Sequence, residues 1–198
     1  MDLLAYAEET DGELRELTLV EEDLSGLALP RMEIEDCSFE RCTFAQAQGL
    51  RMSFERCSFE DCDLTNAQLP SSFWRDCTLH GCRLVGTNLT KSYLVRCRWE
   101  DCVGAYVNLA ESKVESLRFI GCDLHESSLS QLRTKRLGFD NCDLTRAEVF
   151  RTSLRGVDLS SCEIGGIRVS DTHAELRGAK IGLDQAPEIL ALLGIRVG

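Results

Sequence analysis

One feature of this 198-residue sequence limits the folds open to it: large apolar residues recur at every fifth position. From Leu19 to Val169 the series has 31 positions, and 28 of them are Leu, Phe, Trp, Ile or Val. A second series, two residues earlier, is small or apolar except at Glu22 and contains all eleven cysteines. Because a helix has a period near 3.6 and a strand a period of 2, neither element alone explains the pattern.

The cysteines add a longer period of twenty residues. Seven of them recur from Cys42 to Cys162 and four from Cys37 to Cys97, each series in steps of twenty. A coil with four sides of five residues, whose two apolar series point inward, has both periods. The sequence therefore predicts an all-β fold, a quadrilateral β-helix of about eight coils over residues 1–181, followed by a separate C-terminal segment over residues 182–198.

Several stretches match a known repeat. CDLTNAQL at 62–69, CRLVGTNL at 82–89 and CDLTRAEV at 142–149 resemble the A(D/N)Lxx repeat of the pentapeptide-repeat family. The resemblance covers residues 14–176, and it implies that the quadrilateral β-helix is right-handed. The three departures from the apolar series are Gly49, Gly104 and Thr134, and residues 130–137, around Thr134, are the one candidate for a projecting loop.

The cysteines and the chain start bear on compartment and metal binding. The first residues lack the basic start and apolar stretch of a secretory signal, and no run is long enough to span a bilayer, so we expect a cytoplasmic protein with no membrane partner. Its eleven thiols are expected to be buried and reduced. Pairs such as Cys37 and Cys42 fall within the loose range of zinc-ligand spacing, but inward packing explains all eleven. We predict no metal and no cofactor.

Catalytic motifs are absent from the sequence. His80, His125 and His173 fall on different sides of the predicted coil, and no phosphate-binding loop, nucleophile elbow or H-E-x-x-H string is present. We therefore expect a binding protein and not an enzyme.

Charge is distributed unevenly along the chain. The net charge of -11 comes from residues 1–62, which hold 16 acidic and 5 basic side chains, whereas the remainder holds 17 of each. On the twenty-residue grid one corner of the rod is acidic, and the corner opposite is basic and aromatic. The basic corner consists of Arg51, Lys91, Lys113, Arg133 and Arg151 with Phe73, Tyr93 and Phe150.

Two explanations of the acidic corner are open. Asp is favoured in turns and acidic surfaces promote solubility; alternatively, a line of carboxylates imitates the phosphates of duplex DNA and attracts a DNA-binding protein, without direct binding of nucleic acid. We call the predicted partner-binding residues the acidic edge. They are Glu40, Glu60, Asp61, Asp63, Glu100, Asp101, Asp123, Asp140, Asp143 and Glu163.

The last residues depart from the repeat and predict a helix. Asp184 is a candidate N-cap, Pro187 falls in the first turn, Gly194 ends the helix, and a short strand is expected over residues 195–197. The ending resembles that of the Qnr-type quinolone-resistance proteins, whose helix and LGI-x-V segment form a two-fold dimer. The resemblance implies a homodimer through Ile189, Leu190, Leu192, Leu193, Ile195 and Val197.

The Qnr-like ending and the acidic edge together imply a function. The expected protein is a DNA mimic that binds a type II topoisomerase, DNA gyrase or topoisomerase IV, and that modulates it or protects it from poisons such as quinolones. The alternative is a structural or immunity scaffold for another protein partner, bound through the basic and aromatic corner.

Overall fold

The computed structural model describes residues 3–195, most of which wind into a parallel β-solenoid. Each strand pairs in parallel with the strand twenty residues away, as in the Cα partners Leu79 and Trp99. The ladder hydrogen bonds are regular; for example, the Thr78 N–H donates to the Cys57 carbonyl at 3.0 Å. The predicted fold class, a quadrilateral β-helix, is confirmed.

Each coil has four faces, numbered 1 to 4 along the chain, and faces 1 and 2 carry the two long sheets. The strands of face 1 are Glu13–Arg15, Glu33–Glu35, Ser53–Glu55, Phe73–Arg75, Tyr93–Val95, Lys113–Val114 and Arg133–Thr134. The strands of face 2 are Thr18–Val20, Ser38–Glu40, Ser58–Glu60, Thr78–His80, Cys97–Glu100, Leu117–Ile120 and Leu137–Asp140.

Faces 3 and 4 are held mainly by single bridges. Face 3 runs from Asp23 to Glu163, and face 4 contains the short strands Ala28–Leu29 and Gln48–Gly49 before continuing as bridges to Arg168. The sequence predicted about eight coils, and the two long sheets show slightly fewer. The seven strands of face 1 or face 2 are separated by six turns of the solenoid.

The core is a stack of the two inward series. All eleven cysteines are free and buried, as predicted. Their thiols donate to backbone carbonyls, as Cys62 Sγ does to the Phe39 carbonyl at 3.3 Å. Burial is the main cause that raises the pKa of the Cys37 and Cys42 thiols above the ordinary value. Buried thiols of raised pKa are poor nucleophiles and poor metal ligands.

Residues 130–137 keep the coil and form no projecting loop. Arg133 pairs with Lys113 and Leu137 pairs with Leu117, so the twenty-residue register is unbroken there. Thr134 is half-buried at the position that its neighbours in the series fill with large apolar side chains.

Helical segments cover both ends of the solenoid. A helix over Leu3–Glu9, which the sequence analysis did not assign, precedes the first coil, and its Ala7 is buried. At the other end a 3-10 turn, Ala174–Leu176, and a helix, Ala186–Leu192, follow the last coil. Neither α-helix within residues 3–195 has the length and apolar character needed to cross a membrane.

A buried amide closes the C-terminal end. Gln185, which is the N-cap in place of the predicted Asp184, is only 6% exposed. Its Nε2 donates to the Leu159 carbonyl at 2.8 Å and to the Cys162 carbonyl, and its Oε1 accepts from the Gly182 N–H at 2.8 Å. Two carbonyls of the last coil therefore have partners.

Replacing Phe59 with alanine should lower the free energy of unfolding by about 3–5 kcal/mol, because it leaves a cavity in a close-packed core. Phe59 is 1% exposed, and its ring stacks on Phe39 at 4.7 Å and contacts Trp74 at 5.6 Å. Urea unfolding followed by circular dichroism measures the loss. The matched control is Leu50→Ala, at a side chain that is 58% exposed, with an expected change within about 0.5 kcal/mol. Equal losses in the two variants would contradict the assignment of the core.

Candidate acidic interface

The acidic edge lies at the corner where face 2 turns into face 3. Glu60 ends a strand of face 2, Asp61 occupies the corner with a φ of 51°, and Asp63 begins face 3. Cys62 between them points into the core. Glu60, Asp61 and Asp63 thus point outward and Cys62 points inward, and the same pattern recurs at this corner in each coil. The five-residue repeat itself therefore places the acidic side chains on the surface.

The parallel ladder stacks the acidic residues on neighbouring coils. Glu40 is the Cα partner of Glu60, and Asp123 is bridged to Asp143. None of the ten predicted residues is buried. Glu60, Asp61, Asp101 and Glu163 are exposed, and Glu40, Asp63, Glu100, Asp123, Asp140 and Asp143 are half-buried.

Three of the aspartates have a turn-forming role. Oδ1 of Asp63 accepts from the Thr65 N–H at 2.8 Å, Asp123 from the His125 N–H at 3.1 Å, and Asp143 from the Thr145 N–H at 2.8 Å. Such bonds to the backbone two residues on are the usual reason that Asp occurs in turns. Turn geometry therefore explains these three residues, but it does not explain the glutamates that end the strands of face 2.

Cations partly neutralise the edge, and two of them, Arg98 and His80, were not expected there from the sequence. Arg98 forms an ion pair with Glu100, and Arg41 lies 4.0 Å from Glu40. His80 Nδ1 lies 2.6 Å from Glu60 Oε1. Arg98 and His80 both belong to strands of face 2. His80 stands in the same column as Glu60 and Glu100, and Arg98 points outward from the same strand as Glu100. The twenty-residue grid contains this signal, since both residues share the face with the acids.

Glycines make room for two of the corner carboxylates. Gly81, with a φ of 62°, stacks next to Asp61, and a Cβ at Gly81 would collide with Asp61 Oδ1. Gly121 has the same relation to Asp101. Asp61 and Asp101 therefore lean over a coil that has no side chain at the corner, and they stay accessible to solvent.

His80 lies beside the acidic edge and has a raised pKa. Its hydrogen bond to Glu60 raises its pKa above the ordinary value, and the charges of Glu60, Asp101 and Glu100 act in the same direction. His80 Nε2 lies 3.7 Å from Asp101 Oδ2. Protonation on acidification therefore adds a positive charge in the middle of the acidic edge.

Asp123, His125 and Asp143 form the one group of potential metal ligands found within residues 3–195. One donor atom from each lies within 4.8 Å of the others. His125 Nδ1 is also 2.6 Å from Asp123 Oδ1, and both aspartates accept turn hydrogen bonds. Hydrogen bonding and turn geometry thus account for the arrangement without an ion.

The basic and aromatic corner lies on the side of face 1, away from the acidic edge. Lys113 Nζ lies 4.4 Å from the centroid of the Tyr93 ring, and Tyr93 contacts Phe73 at 5.6 Å. Arg133 and Arg151 border an open groove of about 280 Å³ that Glu111 and Gln131 also line. Lys91 forms a long ion pair with Glu111 at 3.9 Å.

The predicted dimer residues divide between two environments. Ile189 and Leu192 pack against the core, and Leu190 is half-buried. Leu193 and Ile195 are 53% and 50% exposed, and Leu183, which the sequence analysis did not select, is 95% exposed. Val197 and most of the predicted strand over 195–197 lie outside the described residues. The outward apolar surface of the tail is therefore formed by Leu183, Leu193 and Ile195.

These features define a class of protein: a quadrilateral β-solenoid, packed along its whole axis, whose chemistry lies on its outer columns. Residues 52–129 match the family model described as the pentapeptide repeat region. The same repeat continues in register on both sides of that segment. The chain therefore contains a pentapeptide-repeat region over residues 52–129, and its coils before and after that region have the same five-residue period.

Solved structures similar to this chain come from proteins with different roles. A trypsin-treated variant of QnrB1, a plasmid-mediated fluoroquinolone resistance protein, has 19% identity and a TM-score of 0.41, with 93% of this chain and 99% of that chain covered. HetL, a regulator of heterocyst differentiation from the cyanobacterium Nostoc, has 15% identity, coverage of 88% and 94%, and a TM-score of 0.28. A thylakoid-lumen protein from Arabidopsis thaliana has 17% identity, coverage of 72% and 68%, and a TM-score of 0.26.

No curated protein sequence matches the chain.

Replacing Glu60 with glutamine should lower the pKa of His80 toward the ordinary value of about 6.5, because it removes the charged hydrogen-bond partner. Since the folded-state pKa is raised, the stabilising pair is complete below about pH 6.5 and is lost as the pH rises through the raised value. A proton NMR titration of the His80 ring measures the shift. The control is Glu163→Gln, a distant member of the acidic edge, and an equal shift in both variants would contradict the pairing.

Proposed function

We propose that this chain is a cytoplasmic DNA mimic without catalytic activity, which binds DNA gyrase or topoisomerase IV through the acidic edge. Binding would modulate the topoisomerase or protect it from poisons such as quinolones. The proposal is supported by the stacked carboxylates of the edge and by the resemblance of the chain ending to that of the Qnr-type proteins.

The observation that most supports this proposed function is the spacing of the acidic residues along the rod. Neighbouring coils of a parallel ladder are about 4.8 Å apart along the rod axis, and each DNA strand carries one phosphate per about 3.4 Å of helix axis. Glu40 and Glu60 stack directly, and Glu60 and Glu100 are each followed by a corner aspartate. A surface that binds the DNA backbone would therefore meet carboxylates at a comparable linear density.

Solubility and turn formation leave part of this pattern unexplained. Asp63, Asp123 and Asp143 serve turns, but Glu40, Glu60, Glu100 and Glu163 make no such backbone bond among the hydrogen bonds of residues 3–195. Glutamate is also among the residues depleted in strands. Glu40, Glu60 and Glu100, which end strands of face 2, are thus the residues that favour a binding role.

A C-terminal dimer would extend the mimic. Leu183, Leu193 and Ile195 present apolar side chains beyond the last coil, more than closing that coil requires, because Ile189, Leu192 and Gln185 already cover it. We propose that the six tail residues predicted from the sequence, with Leu183 added, pair two rods end to end. Two acidic edges would then lie on one elongated particle.

Reversing Glu60, Asp61, Glu100 and Asp101 to lysine should weaken gyrase binding roughly tenfold or more, since the edge steers a cationic surface by its charge. These side chains point outward, so the thermal unfolding temperature should change little. Surface plasmon resonance with purified gyrase measures the affinity, and a supercoiling assay with a quinolone measures protection. The wild-type affinity should also fall as salt rises, because exposed charges are screened over about 10 Å at 0.1 M.

The matched control reverses Arg51, Lys91 and Arg151 to glutamate on the opposite corner, with a much smaller expected effect. If wild-type protein neither binds nor protects gyrase, or if both sets of reversals behave alike, DNA mimicry is wrong.

The alternative proposal, a structural or immunity scaffold for another protein, rests on the basic and aromatic corner. Lys113 stacked on Tyr93, and the groove between Arg133 and Arg151, favour an anionic partner. In that case the control reversals would abolish partner binding, while the lysine substitutions in the acidic edge would not.

Replacing Leu193 and Ile195 with glutamate should convert the proposed dimer of two 22.1 kDa chains into a monomer, because the substitutions place charge in the proposed apolar contact. Light scattering after size exclusion at micromolar concentration measures the mass. Leu50→Glu changes an exposed leucine far from the tail and should leave the dimer intact. A wild-type monomer, or a dimer that persists without residues 184–198, would contradict the proposal.

A further inference from the structure

At mid-length Val103 interrupts the face 3 column of the acidic edge, and Tyr106 lies at the next corner, where face 3 turns into face 4. Val103 is 39% exposed and Tyr106 is 52% exposed. Val103 is bridged to Arg83 on one side and to Asp123 on the other, in a column that is otherwise polar. We call Val103 and Tyr106 the apolar patch.

Tyr106 stands at a backbone position that disfavours it. Its φ is 59°, in the left-handed region, where bulky side chains are rare and glycine and asparagine are favoured. The same corner column holds glycine or asparagine on four coils and flexible polar side chains on three: Gly26, Asn66, Gly86 and Gly166, and Gln46, Glu126 and Arg146. Among residues 3–195, Tyr106 is the only Phe, Tyr or Trp with a positive φ. About half of this side chain remains exposed, so an aromatic residue here points to a role at the surface.

The ring is held in place by the next coil. It packs edge-on against the His125 ring, with centroids 5.5 Å apart and an interplanar angle of 74°. His125 is fixed in turn by its 2.6 Å contact with Asp123 Oδ1. The preceding coil has Gly86 at this corner, so no side chain covers Tyr106 from that side. The patch is therefore ordered before any partner binds, which lowers the entropy cost of association.

We propose that Tyr106 and Val103 are the apolar anchor of the acidic edge, and that they insert into an apolar recess bordered by lysine and arginine on the DNA-binding surface of the topoisomerase. This inference rests on the proposed function. The columns around the patch hold three acidic residues, Asp101, Asp123 and Glu126, and one basic residue, Arg83, so the rim is on balance complementary to a basic surface. An exposed aromatic ring surrounded by charges is the typical arrangement of a binding hot spot, whereas charge alone mainly guides encounter.

The test uses Tyr106→Asn and Val103→Thr, which introduce residues that the same columns already carry at Asn66 and Thr43. Tyr106→Asn should unfold at the same or a higher temperature than wild type, because asparagine tolerates the left-handed conformation. Its affinity for gyrase should nevertheless fall roughly tenfold or more. The loss should be similar at low and at high salt, unlike that of the lysine reversals, because an apolar contact is not screened.

Leu50→Asn is the matched control, since Leu50 is equally exposed but lies away from the acidic edge. Gyrase binding by wild type with an unchanged affinity of Tyr106→Asn would overturn the anchor and leave DNA mimicry standing. A loss of affinity that parallels a loss of stability would also overturn it. Absence of gyrase binding by wild type would overturn the proposed function and the anchor together.

Discussion

The parallel hydrogen-bond ladder between coils is the constraint on which the rest of this structure depends. Along the faces, backbone N–H groups donate to a neighbouring coil, as the Ser58 N–H does to the Cys37 carbonyl at 3.0 Å, and the resulting register places residues of the repeat beside those twenty positions away. Inside, this register stacks the cysteines and the large apolar residues into continuous columns. On the outside, the register also stacks the exposed side chains into columns, although they have no packing role. A substitution at an exposed position therefore changes one member of one column.

Charges on these columns interact more than they would on an irregular surface. Where opposite charges alternate, as in Asp36, Arg56, Asp76 and Arg96, the side chains pair across neighbouring coils. The acidic edge has fewer such partners, and like charges such as Glu40 and Glu60 face each other at the spacing of the ladder. Like charges directly opposite each other destabilise a sheet. Their presence at one corner, while another corner alternates, is the pattern that favours a binding role.

The five- and twenty-residue periods predicted the inward series, the four faces and the position of the acidic corner, because register is a property of the repeat. Features that depend on the reach of individual side chains were not predicted. Arg98 and His80 neutralise part of the edge because they lie on the same face as Glu100 and Glu60, and Gln185 replaces Asp184 as the cap because its amide reaches the last coil. The helix over Leu3–Glu9 was missed because it lies outside the repeat. The left-handed backbone conformation of Tyr106 could be predicted from the sequence, because Tyr106 falls in a corner column of the repeat.

The closure of the last coil by Gln185 has a consequence for assembly. The end of a solenoid is an open β edge whose unpaired backbone groups can pair with another chain. Each added coil would present the same edge again, so uncapped rods could associate end to end without limit. By occupying the Leu159 and Cys162 carbonyls with a side-chain amide, the chain ends this series within one molecule. The length of the rod is then fixed by the gene and not by concentration, and whatever spacing its outer columns present to a partner is the same in every copy.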